Sequence, residues 1–84
     1  MNIKSLHQLF LKSDTACTDT RKISKNCMFF ALKGKTFNGN AFAENAIANG
    51  AAYAIVDDKK FVLDKNYILV EDVLTTLQQL ASYH

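Results

Sequence analysis

The chain reads as a small α/β domain, a mainly parallel or mixed sheet flanked by helices. Three observations predict this fold. Residues 27–32 (CMFFAL), 52–56 and 67–70 are short apolar runs without period-2 alternation, as in strands covered on both faces. Between the first two runs, residues 41–49 show helical spacing and end at Gly50, where a glycine can take the left-handed conformation that closes a helix. Polar turns bound each apolar run, so strand, helix and strand form one right-handed crossover unit.

The elements follow in order. Ile3, Leu6, Leu9 and Phe10 recur at helical spacing, with Asn2 available as a cap, which predicts a short amphipathic helix over 3–11. Ser13 and Asp14 break it, and a brief extended piece, 16–18, leads into a basic turn at Thr20, Arg21 and Lys22. After the strand at 27–32 comes a second polar turn, 33–39. Asn40 is then placed to cap the helix over 41–49, whose inward stripe is Phe42, Ala43, Ala46 and Ile47. Asp57 and Asp58 read as a surface turn after the strand at 52–56. Residues 61–63 fit either a helical turn or a short edge strand. Asp72 caps a last helix carrying Val73, Leu74, Leu77, Leu80 and Ala81 on one side. No Gly, Asn or Pro ends that helix before His84, a pattern shared by natural C-termini and by chains cut inside or just after a helix; the expectation is a fragment of a longer protein.

Composition narrows the function classes. At 84 residues the chain is one domain, and 49% hydrophobic residues argue against disorder. Ten Lys and Arg are scattered among eight acids for a net charge of +2, so no footprint for nucleic acid emerges. Cys17 and Cys27 lack metal or redox spacing and read as buried thiols of a reducing compartment. The N-terminus lacks the long apolar core of a signal peptide, and no run approaches the roughly 20 apolar residues of a membrane span. The expectation is a cytoplasmic protein without membrane insertion.

Residues 18–40 hold the candidate site. Polar turns at the ends of a buried strand are where α/β domains bind ligands. Arg21 offers a planar fork for phosphate or a base edge, with the Thr20 hydroxyl beside it. Residues 36–40 (TFNGN) set an aromatic beside two amides, suited to a base or sugar. From the residues alone, a solvated turn at 20–22 and a capped turn with Phe37 in the core remain open. Gly34-Lys35-Thr36 resembles the end of a phosphate-binding loop, but the pattern requires glycine at position 29, which is Phe29 in mid-strand. The histidines and carboxylates form no catalytic or metal-binding arrangement.

Residues 18–23 (TDTRKI) and 28–34 (MFFALKG) together resemble the N-terminal domain of the Mur ligases. The likeness continues through 37–42 (FNGNAF), Ala46, Gly50, Ala51 and 68–70 (ILV), and is closest to the MurF branch, UDP-N-acetylmuramoyl-tripeptide:D-alanyl-D-alanine ligase. The resemblance implies that residues 1–84 are the first of three domains of a cytoplasmic enzyme. That domain grips the UDP end of UDP-N-acetylmuramoyl-tripeptide and has no catalytic, metal or cofactor residues of its own. ATP and Mg2+ belong to a central domain, and D-alanyl-D-alanine enters through a C-terminal one, neither present in this chain. Carried onto matching positions, the resemblance puts Thr20 and Arg21 at the uridine diphosphate, with Lys33 and Gly34 lining it. Phe37, Asn38, Gly39 and Asn40 close over the uracil or ribose. The chain departs from the family at Asn38 and Asn40, commonly Asp and His, and at Asn26, commonly Gly, where Asn can still adopt a left-handed turn. The MurE-type ligase, which adds the third amino acid, and a stand-alone nucleotide-binding module are the alternatives.

Overall fold

A computed structural model describes residues 3–33 and 38–83. Asn2, proposed above as a cap, lies outside the described residues. Four parallel strands form one sheet in the order β1-β2-β3-β4: β1 (Ala16–Cys17), β2 (Met28–Phe30), β3 (Tyr53–Val56) and β4 (Tyr67–Leu69). The register pairs Ala16 with Met28, Phe29 with Ala54 and Ile55 with Ile68. Helix α1 (Ile3–Lys12) precedes the sheet, α2 (Ala43–Ala48) joins β2 to β3, and α3 (Val73–Tyr83) follows β4.

Alternate residues of the central strands serve two separate cores. Met28, Phe30 and Ile55 point to one face and pack with Leu6 of α1 and Val73 and Leu80 of α3. Phe29, Ala54 and Val56 point to the other, against Ala43 and Ala46 of α2. Both sheet faces are therefore apolar, which is why the strand runs carry no alternation. The rings of His7 and Tyr83 meet edge-on at 4.8 Å, adding a contact between α1 and α3.

Two backbone positions at the N-terminal edge of the sheet bear out the sequence reading. Gly50 has φ +116°, a conformation that an L side chain rarely adopts. Asn26 has φ +64°, the left-handed region that Asn tolerates best after Gly. The Asn26 amide donates to Gly50 O at 2.7 Å, so the two turns brace each other.

Several expectations are corrected. Of the two readings left open for residues 61–63, the structure has no strand there; a helical turn ends at Phe61, the 3-10 turn Lys59–Phe61 capped by Asp58, whose carboxylate accepts from the Lys60 amide. Asn40 does not cap a helix over 41–49. A 3-10 turn, Gly39–Phe42, comes first, its cap is Asn38, and α2 begins only at Ala43. That tighter turn breaks the 3.6-residue phase, so Phe42 drops out of the inward stripe and is 43% exposed. In α3, Val73, Leu77 and Leu80 face the core, whereas Leu74 lies about 100° round the helix and is exposed. Asp72 does cap α3, its carboxylate accepting from the Thr75 amide at 2.8 Å. Of the two thiols, Cys27 is buried and Cys17 half-buried, and neither is in a disulfide. Burial, with the neighbouring Cys17 thiol, pushes the Cys27 thiol up to about 11, so it stays protonated at neutral pH. No described helix is long and apolar enough to cross a membrane.

Candidate functional site

In a parallel sheet every strand's C-terminal end faces the same edge, and the loops leaving it are where such folds place ligands. Here that edge carries the turn after β1, the segment after β2 and the chain leaving β3.

The turn after β1 holds Arg21. Asp19 caps it, accepting from the Arg21 amide at 2.9 Å. Both carboxylate oxygens also receive the guanidinium, from Nε at 3.1 Å and Nη2 at 3.0 Å. This bidentate contact holds the Asp19 carboxyl below the usual carboxylate range and raises Arg21. The Arg21 side chain is 86% exposed, so the pair is weak and open to exchange for another anion.

The segment after β2 folds back on itself. Lys33 and Asn38 form an antiparallel bridge, and the Gly39 amide donates to Leu32 O at 2.9 Å. Glycine is required at 39 by close approach. A Cβ there would collide with the Leu32 carbonyl oxygen and stand only 2.7 Å from the Ala31 carbonyl carbon. Asn38 then turns the chain, its Oδ1 accepting from the Asn40 amide at 3.0 Å and from Asn40 Nδ2 at 2.8 Å.

Asn40 is fully buried and its amide is used inside the protein. Besides the bond to Asn38, Nδ2 donates to Asp57 Oδ1 at 2.7 Å, and Oδ1 accepts from the Asp57 amide at 2.9 Å. Asp57 is the correction with most consequence. Read from sequence as part of a surface turn, its side chain is only 3% exposed. Its Oδ1 also meets Lys33 Nζ at 3.1 Å, and its Oδ2 accepts from the Val73 amide at the start of α3, again at 3.1 Å. Burial alone would raise this carboxyl. The donors from Asn40, Val73 and Lys33 outweigh it, and the group titrates below its ordinary value. A charge this deep survives because each oxygen has a donor and the positive end of α3 faces it.

The structure thus brings Lys33, Asn38, Gly39 and Asn40 together around a residue that sequence reasoning missed. The signal available was an acid directly following an apolar strand, at the edge where ligands bind. Among the described residues, the ion pair of Arg21 goes to Asp19 and not to this cluster. Gly34 and Phe37 lie outside the described residues, as does the side chain of Thr20. A groove of about 710 Å³ opens on the α3 side of Asp57, lined by Ile3, Leu6, Ile68, Val70, Asp72 and Thr76 among others. Asp57 lines it, whereas Arg21, Lys33 and the 38–40 turn do not.

Known proteins share the sequence pattern and fold of this chain. The model described as "Mur ligase family, catalytic domain" matches residues 16–84. A UDP-N-acetylmuramoyl-L-alanyl-D-glutamate--2,6-diaminopimelate ligase of Rickettsia typhi is 38% identical over 77 residues, 89% of this chain and 16% of the relative. A UDP-N-acetylmuramoyl-tripeptide--D-alanyl-D-alanine ligase of Bacillus subtilis is 44% identical over 66 residues, 76% of this chain and 14% of the relative. Among solved structures, the MurF ligase of Thermotoga maritima in complex with ADP superposes with a TM-score of 0.77 at 32% identity, over 87% of this chain and 17% of that one. A MurF structure from Acinetobacter baumannii gives 0.73 at 26% identity, over 98% of this chain and 20% of that one. The chain therefore spans about a sixth of the length of the relatives it matches. A four-stranded parallel sheet shared with MurF structures, and a family match over residues 16–84, lead to one conclusion: the chain belongs to the Mur ligase family.

Proposed function

We propose that this chain is the domain of an ATP-dependent Mur ligase that grips the UDP end of UDP-N-acetylmuramoyl-tripeptide, in an enzyme adding D-alanyl-D-alanine during cytoplasmic peptidoglycan synthesis. The observation carrying this reading is the match to MurF structures over nearly the whole chain. The arrangement of the C-terminal edge supports it. Arg21 is exposed and weakly engaged, free to trade Asp19 for a diphosphate. Lys33 keeps its ammonium at the rim, 53% exposed, with donors to spare after its contact to Asp57. Gly39 and Asn40 hold the 38–40 turn against the ends of β2 and β3. This domain binds and orients; the chemistry belongs elsewhere in the complete enzyme. Phe29 is buried in β2 where a phosphate loop ending at residues 34–36 would need glycine, so the ATP site and its Mg2+ are assigned outside this chain.

A second reading is the MurE-type ligase, favoured by the Rickettsia typhi relative. Turnover by the complete protein separates the two. ATP-dependent phosphate release that requires UDP-N-acetylmuramoyl-tripeptide and D-alanyl-D-alanine supports the first reading. Release only with UDP-N-acetylmuramoyl-L-alanyl-D-glutamate and a diamino acid replaces it with the second. A stand-alone nucleotide-binding module predicts neither.

A further inference from the structure

We infer that Asp57 is a positioning residue for the nucleotide site: it fixes the Lys33 ammonium where that group meets the diphosphate. The inference rests on the reading of this domain as a UDP binder. The Asp57 side chain is only 3% exposed, and both carboxylate oxygens are engaged by donors within the protein. Its carboxylate joins three separate parts of the site edge. Oδ1 takes Asn40 Nδ2 from the turn after β2 and Lys33 Nζ from the end of that strand's extension, at 2.7 and 3.1 Å. Oδ2 takes the first amide of α3, and the Asp57 backbone amide closes the ring onto Asn40 Oδ1. The carboxylate is therefore immobile, held by bonds that do not involve Lys33. A lysine on a flexible stem normally loses much rotamer freedom when it engages an anion. Anchored to a fixed, buried charge, Lys33 has already lost it, and its remaining donors face solvent. Arg21 differs: its partner Asp19 is two residues away on the same exposed turn, so that pair moves as one with the loop.

A double-mutant cycle on the 84-residue chain tests the inference, with UDP as the probe and calorimetric titration as the readout. Amide spectra identify folded samples. Lys33→Gln and Asp57→Asn are each expected to weaken UDP binding about tenfold, and the double variant also about tenfold, because the two act as one unit. A loss of about a hundredfold in the double variant means independent effects and overturns the positioning role. UDP affinity unchanged by Asp57→Asn overturns it as well. Should Asp57→Asn fail to fold, Asp57→Glu keeps the charge and moves it by one methylene. It is expected to weaken UDP about tenfold in the Lys33 background and not at all beside Lys33→Gln; equal loss in both backgrounds contradicts the inference. Wild-type chain that binds no UDP up to millimolar concentration removes the proposed function and this inference together, whereas wild-type binding with an additive cycle removes the inference alone.

Discussion

Asn40→Asp is the smallest change that should break this fold, because it exchanges one buried NH2 for an oxygen. In the native protein Nδ2 stands 2.7 Å from Asp57 Oδ1 and 2.8 Å from Asn38 Oδ1. After substitution an ionised carboxylate at position 40 would face the Asp57 carboxylate at that separation. At an effective dielectric of about 20 the repulsion is roughly 6 kcal/mol. Protonating one of the two acids is cheaper and restores the donor. Holding a carboxyl of ordinary pKa near 4 protonated at pH 7 costs about 4 kcal/mol, at ~1.4 kcal/mol per pH unit. Relative to wild type, the variant should lose about 4 kcal/mol at pH 7 and only about 1.5 kcal/mol at pH 5. A domain of this size has little more than that to lose, so the variant should be largely unfolded at neutral pH and regain structure on mild acidification. Urea unfolding followed by circular dichroism at the two pH values reads both quantities. A loss under about 1 kcal/mol at pH 7, with no dependence on pH, would refute the buried Asn40–Asp57 cluster.

Other consequences follow from the same geometry. Gly39→Ala should cost about 1–3 kcal/mol in thermal or urea unfolding, since the new methyl meets main chain of residues 31 and 32 rather than a side chain that can swing aside; a neutral result would mean the turn after β2 sits farther from the strand. The Asp57 carboxyl is held below its ordinary value of 3.8, so its contribution is complete at neutral pH and is lost as pH falls from about 4 through the depressed native value. Acid unfolding of wild type should therefore be steeper below about pH 4 than that of Asp57→Asn, and identical profiles would contradict the assignment. Asn26→Ala should destabilise by roughly 1–2 kcal/mol, measured by the shift in urea midpoint, because φ there is positive and Asn26 Nδ2 also donates to Lys12 O.

What was legible in the sequence is local. The apolar runs at Met28–Phe30, Tyr53–Val56 and Tyr67–Leu69 declared themselves because strands covered on both faces need no polar partner. Gly50 was readable because a left-handed turn closing a helix has few chemical solutions, and Asn26 because Asn is among them. Phe42 and Leu74 were misplaced since one residue's shift in helix start or phase turns a side chain from core to solvent. The Asn40–Asp57 cluster was hidden for a different reason. Seventeen residues separate the partners, and an acid after a strand looks like a solvated turn until α3 and Lys33 close over it. Asn38 and Asn40 drew notice as amides able to read a base. Burial of the Asn40 amide turns that residue into a support for the turn instead of a surface for ligand.

The most direct measurement of nucleotide recognition at this edge is an amide NMR titration of the 84-residue chain with UDP, then with UDP-N-acetylmuramoyl-tripeptide. Saturable shifts are expected at Thr20, Arg21, Lys33 and residues 37–40, with smaller ones at Asp57 and at the start of α3, which share hydrogen bonds with that cluster. Shifts confined to the groove between α1 and α3, around Ile3, Ile68 and Thr76, or no shift from either ligand in a folded sample, would contradict it.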